Sequence, residues 1–568
     1  MPFSLSKLVS FVIMASILSF HISKGNWNDP SKVIANDVKG YYTYLPAYFI
    51  QNDPDFKKPN DFAYDIWFST DEEGRNYIKY TSGMAIAYSP FFFVGHAIAA
   101  ISGYPTNGCS APYLIALLVG SLLFIMLGIV SLRAILLRYF SDFTVAITLT
   151  ILFAGTNLWY YSTYEPLMSH AYSFGLIAFF LLKVIQWLEA QRIKHLLLAG
   201  VSAGLFVLIR PIDLLFVVLV PLIGVRSMKD LGAQFKLLFE HWQHLLVFAL
   251  TATVVFIPQF LYNYSIFGSI FHYSYSNEGF IFSDPELFNI LFSYRNGWLI
   301  YSPVMLFSLI GLIFLFRERK GMTLFVGSSF IIYLFVISSW WCWWYSGFGN
   351  RAFINLYPII GIALAVFISN LVKWKLVIRG SVLILISAFI SLNIFQSVQF
   401  SEGLIHWESM TKASYWNNFL QQRASQLYYW NLRKPDHEAA IKGQNVVTSP
   451  KEKEVFKLDK SIYISSKEMF DFHDTLSLSG SNRFYLKAWI KNAEDLTIVM
   501  DAKEKGYFAS EEVLEKNGEV SLYHLHGYYP GQQIDTVQFY IWNRAGNEIT
   551  LERILLSGQD VHFEKVRQ

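Results

Sequence analysis

The chain has 568 residues, of which 54% are hydrophobic, 18% aromatic and only 15% charged, with a mean hydropathy of +0.35; these figures argue against a water-soluble globule and fit a membrane protein. Its 45 basic and 42 acidic residues leave a net charge of +3, which implies no bulk polyanion partner and argues against a nucleic-acid binder. The two cysteines, Cys109 and Cys342, offer no thiolate metal site and no disulfide framework; both read as packing residues, with a single bond between them left open.

Crossing a hydrocarbon core of about 30 Å takes roughly 20 mostly apolar residues in a helix, the geometry that satisfies the backbone without water. Eleven apolar windows qualify: 7–22, 113–137, 144–161, 172–188, 197–209, 214–225, 245–262, 299–316, 322–340, 353–371 and 381–395. No small-x-small cleavage pattern follows the first, so it reads as an uncleaved span. A further window, 84–101, competes, but it carries Pro90, Gly95 and His96 and follows Arg75 and Lys79.

Charge decides its place. If 84–101 lies along the membrane surface, the basic clusters Arg133/Arg138, Arg192/Lys194, Arg226/Lys229/Lys236, Arg317/Arg319/Lys320 and Lys373/Lys375/Arg379 all fall on one side. The positive-inside rule then puts that side and the N-terminus in the cytoplasm, with 23–112 and the tail from about 396 outside. The expected fold is a polytopic α-helical membrane protein of about eleven transmembrane helices with a C-terminal extracytoplasmic β-sandwich. Its domains are a transmembrane body (1–400, with a first external loop at 23–112), an interfacial helix and linker (401–454) and the sandwich (455–568). Leu404, Trp407, Met410, Tyr415 and Phe419 recur at helical spacing in the second. In the third, alternating runs such as 484–490, 496–500 and 536–542 are separated by Gly, Asn and Asp turns.

The polar exceptions to this pattern are the candidate site. Arg210 precedes Pro211 and Asp213, Arg295 lies in Ser293-Tyr294-Arg295-Asn296-Gly297-Trp298, and Arg351 follows Gly347-Phe348-Gly349-Asn350. A boundary charge is costly and has a partner. Each arginine either pairs with a nearby carboxylate such as Asp213 or serves a phosphate, to which a planar guanidinium donates two hydrogen bonds at once; the three together favour an anionic ligand. Asp37, in Asn36-Asp37-Val38-Lys39-Gly40-Tyr41-Tyr42, is a candidate general base close to the membrane, or else a helix N-cap or solvated loop acid. Glu165 and His170, in a tyrosine-rich stretch at the external end of the third span, are candidates for steering an acceptor or shuttling a proton; His170 also reads as a hydrogen-bonded interfacial residue. The run Trp340-Trp341-Cys342-Trp343-Trp344-Tyr345 reads as an aromatic belt or as a platform for sugar rings. Trp489, Trp542 and Tyr528 read as sandwich core or as sugar-stacking groups.

Taken in order along the chain, four local patterns resemble the GT-C class of polytopic glycosyltransferases. These are Asp37 ahead of Tyr41-Tyr42-x-Tyr44-Leu45-Pro46, Tyr80-Thr81-Ser82-Gly83-Met84 leading to Ser89-Pro90-Phe91, Gly297-Trp298-Leu299-x-Tyr301-Ser302-Pro303, and Trp343-Trp344-Tyr345-Ser346-Gly347-x-Gly349-x-Arg351. Within that class the chain is similar to bacterial protein mannosyltransferases and lipid A aminoarabinose transferases, over roughly 1–400. The resemblance implies an integral enzyme of the plasma (inner) membrane that transfers a sugar from a polyprenyl-phosphate donor to an acceptor glycan, lipid or protein on the extracytoplasmic face of the cell envelope. It implies inversion at the sugar, Asp37 as base and juxtamembrane helices in the first external loop. On this scheme Arg210, Arg295 and Arg351 hold the donor phosphate. No cofactor is required, and a divalent metal is allowed but not indicated. A pair of adjacent acids is common at the Asp37 position, and Asn36 stands there instead, which weakens any metal or second-acid role. Two rival functions are a transporter or lipid flippase, for which internal repeats are expected and no duplication is seen, and an oligosaccharide ligase with a diphosphate-linked donor.

Overall fold

The computed structural model describes residues 4–318, 320–425, 428, 430–443, 453–459, 461–464, 470–481, 483–502, 507–511, 513–528, 534–545 and 547–559. The chain divides into two compact units, Met1–Val398 and Gln399–Gln568. The first runs through α1 (Leu5–Lys24), α2 (Val38–Pro46), α3 (Gly83–Ser102), α4 (Ala111–Leu136), α5 (Asp142–Ala154), α6 (Leu158–Thr163) and α7 (Ser169–Ala190). It continues with α8 (Ile193–Ile209), α9 (Met228–Glu240), α10 (Trp242–Phe267), α11 (Leu306–Glu318), α12 (Lys320–Ser338), α13 (Tyr357–Leu371) and α14 (Leu376–Ser401). A two-residue hairpin, β1 (Ser69–Thr70) and β2 (Asn76–Tyr77), interrupts the loop between α2 and α3.

Among the described residues eight helices are long and apolar enough to cross a membrane: α1, α3, α4, α7, α10, Gly321–Ser338, Arg351–Leu371 and α14. The chain is thus a multi-pass membrane protein, and the expected count of eleven is not reproduced. Four of the eleven windows form shorter helices, three because the backbone is broken inside them and 197–209 because its helix ends there. Window 144–161 splits at Gly155-Thr156-Asn157 into α5 and α6, and α8 stops at Arg210, held extended before Pro211. Window 214–225 divides into Leu214–Val218 and the single turn Val220–Leu222, where Pro221 sits, and 299–316 breaks at Ser302-Pro303 ahead of α11.

The eighth helix, α3, is the window 84–101, and its packing separates it from the others. Gly95 abuts the backbone of Tyr113 and Phe91 covers Gly120, so α3 runs antiparallel to the first ten or so residues of α4 only. Tyr88 donates to Leu167 O, and Ser121 of α4 donates to Pro166 O at 2.7 Å, so α3 begins at the level of the 164–168 turn. The opposite end of α4 lies elsewhere: Arg133 Nε donates to Ser6 Oγ at 2.7 Å, beside Asp142, at the start of α1. Close helix pairs elsewhere use small residues. Gly200 and Gly204 of α8 lie directly on the backbone of Phe248 and Ala252 of α10, where any Cβ would sit within 2.6 Å of a carbonyl oxygen.

The second unit begins with residues 399–443, where the expected interfacial helix is replaced by α15 (Lys412–Asn417), closed by a capping box between Thr411 and Ser414, and α16 (His437–Ile441). Part of the expected linker, 444–452, lies outside the described residues. The strands are β3 (Lys453–Leu458), β4 (Ile462–Ile464), β5 (Phe470–Ser481), β6 (Arg483–Lys491), β7 (Leu496–Asp501), β8 (Tyr507–Ser510), β9 (Val513–Asn517), β10 (Val520–Tyr528), β11 (Ile534–Asn543) and β12 (Ile549–Gln559). They form two antiparallel sheets, β3-β12-β6-β10-β9 with β4 on β12, and β5-β11-β7-β8. Leu486, Ile490, Leu525 and Leu556 from one and Ile498, Met500, Phe539 and Ile541 from the other fill a common core. This is the sandwich expected from the alternating runs.

Candidate functional site

Asp37 immediately precedes α2, after Asn36 in the left-handed region at φ 51°. The helix takes no side-chain cap from it, so the carboxylate is free of the N-cap role. It is instead 19% exposed and turned inward: Arg351 Nη2 lies 2.9 Å from Oδ2, and Tyr80 donates to Oδ1 at 3.0 Å. Burial, and then the Asp37 charge, push the Tyr80 phenol well above its ordinary value, so it remains a donor.

Arg351 reaches this point through a glycine-dependent turn. Gly347 has φ 146°, and a Cβ there would lie 2.3 Å from Tyr161 Oη; Gly349 has φ 59°. The Tyr161 hydroxyl accepts from Phe348 N at 3.0 Å, and Asn157, in the break after α5, donates to Phe348 O at 3.3 Å. The broken helix thus supplies the anchors for the arginine turn.

Glu165 arrives from the connection between α6 and α7. Its Oε1 accepts from Asn36 Nδ2 at 3.0 Å and from the Tyr160 hydroxyl at 3.4 Å. Burial raises its carboxyl from 4.5 to about 7; Arg351 opposes the rise and Asp37 adds to it, so Asp37, Glu165 and Arg351 share one electrostatic neighbourhood. Asn36 holds the second acid in place at the position where a neighbouring acid is absent from the sequence.

Arg210, at the end of α8, bonds through Nη1 to His170 Nε2 at 3.2 Å. His170 Nδ1 meets Asn355 Oδ1 at 3.1 Å, and Asn355 Nδ2 donates to Asp213 Oδ2 at 2.7 Å. His170, Asn355 and Asp213 are each fully buried. Tyr41 of α2 feels the charges of Asp37, Arg351 and Arg210, and Tyr275 feels those of Arg210 and Asp37, so both arginines act on the Tyr41 phenol. Among the described residues the buried Nε atoms of both Arg210 and Arg351 have no hydrogen-bond partner.

Five of the six sequence candidates, Asp37, Glu165, His170, Arg210 and Arg351, therefore converge. The sixth, Arg295, is placed over the ring of Trp344 at 5.9 Å, one residue before Tyr345, whose phenol faces Arg210 and Arg351. Sequence reading missed Tyr80, Asn355 and the Asn36–Glu165 bond; the signal for Asn355 was a lone polar residue four after Arg351 in an apolar run. In the sandwich, Trp489 and Trp542 are half-buried beneath Arg553 at 4.9 Å and Arg544 at 5.4 Å, while the side chain of Tyr528 lies outside the described residues. Both thiols are free, and among the described residues no three of His, Cys, Asp and Glu gather to hold a metal ion.

Fold and site together define a multi-pass membrane protein with a buried arginine–carboxylate cluster. No protein-family profile matches the chain, and no curated protein does. Among solved structures it is similar to the Archaeoglobus fulgidus oligosaccharyltransferase in its apo form, with 14% identity and a TM-score of 0.36, over 78% of this chain and 56% of that one. The chain thus spans a little over half the length of that protein.

Proposed function

We propose that the protein is an integral membrane glycosyltransferase that moves a sugar from a polyprenyl-phosphate donor to an acceptor glycan, lipid or protein on the extracytoplasmic face. The observation that carries this reading is the ion pair of Asp37 with Arg351, set beside Glu165 and Arg210, with the buried Nε of each arginine lacking a partner among the described residues. An unpartnered buried donor is costly, and a phosphate oxygen offers the charge-assisted acceptor that removes the cost. Arg351 and Arg210 hold the donor phosphate and stabilise the negative charge it gains as the sugar–phosphate bond breaks.

Asp37 takes the proton of the acceptor nucleophile as that nucleophile attacks the anomeric carbon from the face opposite the phosphate. One bond forms as the other breaks, which inverts the centre. In the resting site Arg351 and Tyr80 keep Asp37 oriented, and donor phosphate draws Arg351 toward itself, leaving the carboxylate for the acceptor. Glu165, poised near neutrality and bound by Asn36, steers the acceptor or relays its proton. Arg295 is kept as a donor-side group through Trp344 and Tyr345. Asp37→Asn tests the reading: transfer is lost while carrier-lipid binding persists, and normal turnover in this variant would remove the base assignment.

A further inference from the structure

Among the described residues Arg210 makes no ion pair of the Asp37–Arg351 kind; one of its terminal nitrogens is bonded instead to a neutral ring. The directions of the bonds around that ring are fixed by chemistry. A guanidinium only donates, so His170 Nε2 accepts from Arg210 Nη1. The other ring nitrogen must then carry the proton and donate to Asn355 Oδ1, and the Asn355 amide in turn donates to Asp213 Oδ2. Four residues from α8, the start of α7, the turn after Arg351 and the turn after Arg210 form one chain of donors pointing the same way and ending on a carboxylate. The Tyr333 hydroxyl, which donates to Ala352 O at 3.0 Å, stands at the same carboxylate, 3.5 Å from Oδ1. All three groups behind Arg210 are fully buried. The arginine's own Nε has no partner among the described residues.

We infer that His170, Asn355 and Asp213 are positioning residues whose hydrogen-bond chain fixes the plane of the Arg210 guanidinium, so that its remaining N–H groups present a preformed fork to the phosphate of the ligand. The inference rests on the reading of Arg210 as a phosphate-binding group. It assigns His170 to holding the arginine instead of to proton shuttling, since its one lone pair is occupied. A preformed fork loses less entropy on binding than a mobile one, which is what the chain contributes.

The test is a double-mutant cycle read by the affinity of the full-length protein in nanodiscs for undecaprenyl phosphate, followed by tryptophan fluorescence. Arg210→Ala is expected to weaken binding by 10-fold or more, and His170→Leu and Asn355→Leu by about 10-fold each. In the Arg210→Ala background neither adds a further loss, because each acts only through the arginine. His170→Gln, whose amide oxygen accepts from Arg210 while its N–H donates to Asn355, is expected to stay within about 3-fold of the native protein. If Arg210→Ala weakens binding but the two leucine variants bind normally, or if their losses add in the Arg210→Ala background, the positioning inference is overturned and the phosphate reading survives. If Arg210→Ala binds like the native protein, the phosphate reading itself falls, and the inference with it. Should either leucine variant fail to fold, the comparison of His170→Gln with Arg210→Ala decides: a loss in the glutamine variant as large as that in the alanine variant contradicts the role described.

Discussion

Replacing Glu165 with Gln removes one titration while preserving the shape of the site, since the amide oxygen still accepts from Asn36 and Tyr160. Burial is the main reason the Glu165 carboxyl rises from 4.5 to about 7 in the folded protein. At about 1.4 kcal/mol per unit, that displacement corresponds to about 3 kcal/mol between protonated and ionised forms. The sign follows from linkage. An acid whose folded value lies above its unfolded one favours the native state fully below about pH 4.5, and that contribution is lost as pH rises through about 7. Thermal unfolding of the two proteins in the same nanodiscs, from pH 5 to pH 8, is therefore expected to diverge. The native protein loses stability over this range relative to the glutamine variant, which becomes the more stable of the two at pH 8. Transfer rates are expected to show a limb near pH 7 that the variant lacks. Parallel unfolding temperatures across the range, or a native protein that gains on the variant as pH rises, would refute the placement of this carboxyl beside Asp37 in a poorly solvated pocket.

Asp37→Asn is expected to bind undecaprenyl phosphate at least as tightly as the native protein, because it removes the anion that competes for Arg351, while transfer falls to background; weaker binding would show that Asp37 shapes the arginine instead of opposing the ligand. Gly347→Ala places a methyl group against Tyr161 Oη at a backbone angle that side chains avoid, so binding is expected to drop about as far as in Arg351→Ala, with less effect from Ser346→Ala one residue away. Reporter fusions after Gly103 and after Lys320 are expected on opposite sides of the membrane, and agreement between them would overturn the odd number of crossings that the eleven expected windows place between these two points.

What the sequence displayed of this fold was its apolar content and its exceptions. Long uninterrupted windows became single helices, whereas those containing Gly155-Thr156-Asn157, Pro221 and Ser302-Pro303 broke and 197–209 ended ahead of Pro211; such breaks are tolerated where tertiary partners satisfy the freed backbone groups. Arg210 and Arg351 stood out because charge is costly beside apolar helices, and that same cost brought each to a polar partner, His170 and Asp37. Tyr80 carried no comparable signal and Asn355 only that of a lone polar residue in an apolar run; each gains its meaning from groups more than forty or more than a hundred residues distant. Arg295 had the sequence marks of Arg351 but went to an aromatic face, since hydropathy does not distinguish a carboxylate partner from a Trp ring. The periodic residues of 404–419 resembled a longer helix, yet the capping box of Thr411 and Ser414 starts the helix only at Lys412, and it ends at Asn417 with Asn418 as its C-cap.

The most direct test of the account is a comparison of envelope glycans, glycolipids and glycoproteins by mass spectrometry between cells carrying the native chain and cells in which Asp37 is changed to Asn at the native locus. The account predicts that one sugar residue disappears from a single class of acceptor while its polyprenyl-phosphate form accumulates. An unchanged inventory, with the variant protein present at normal abundance, would contradict it.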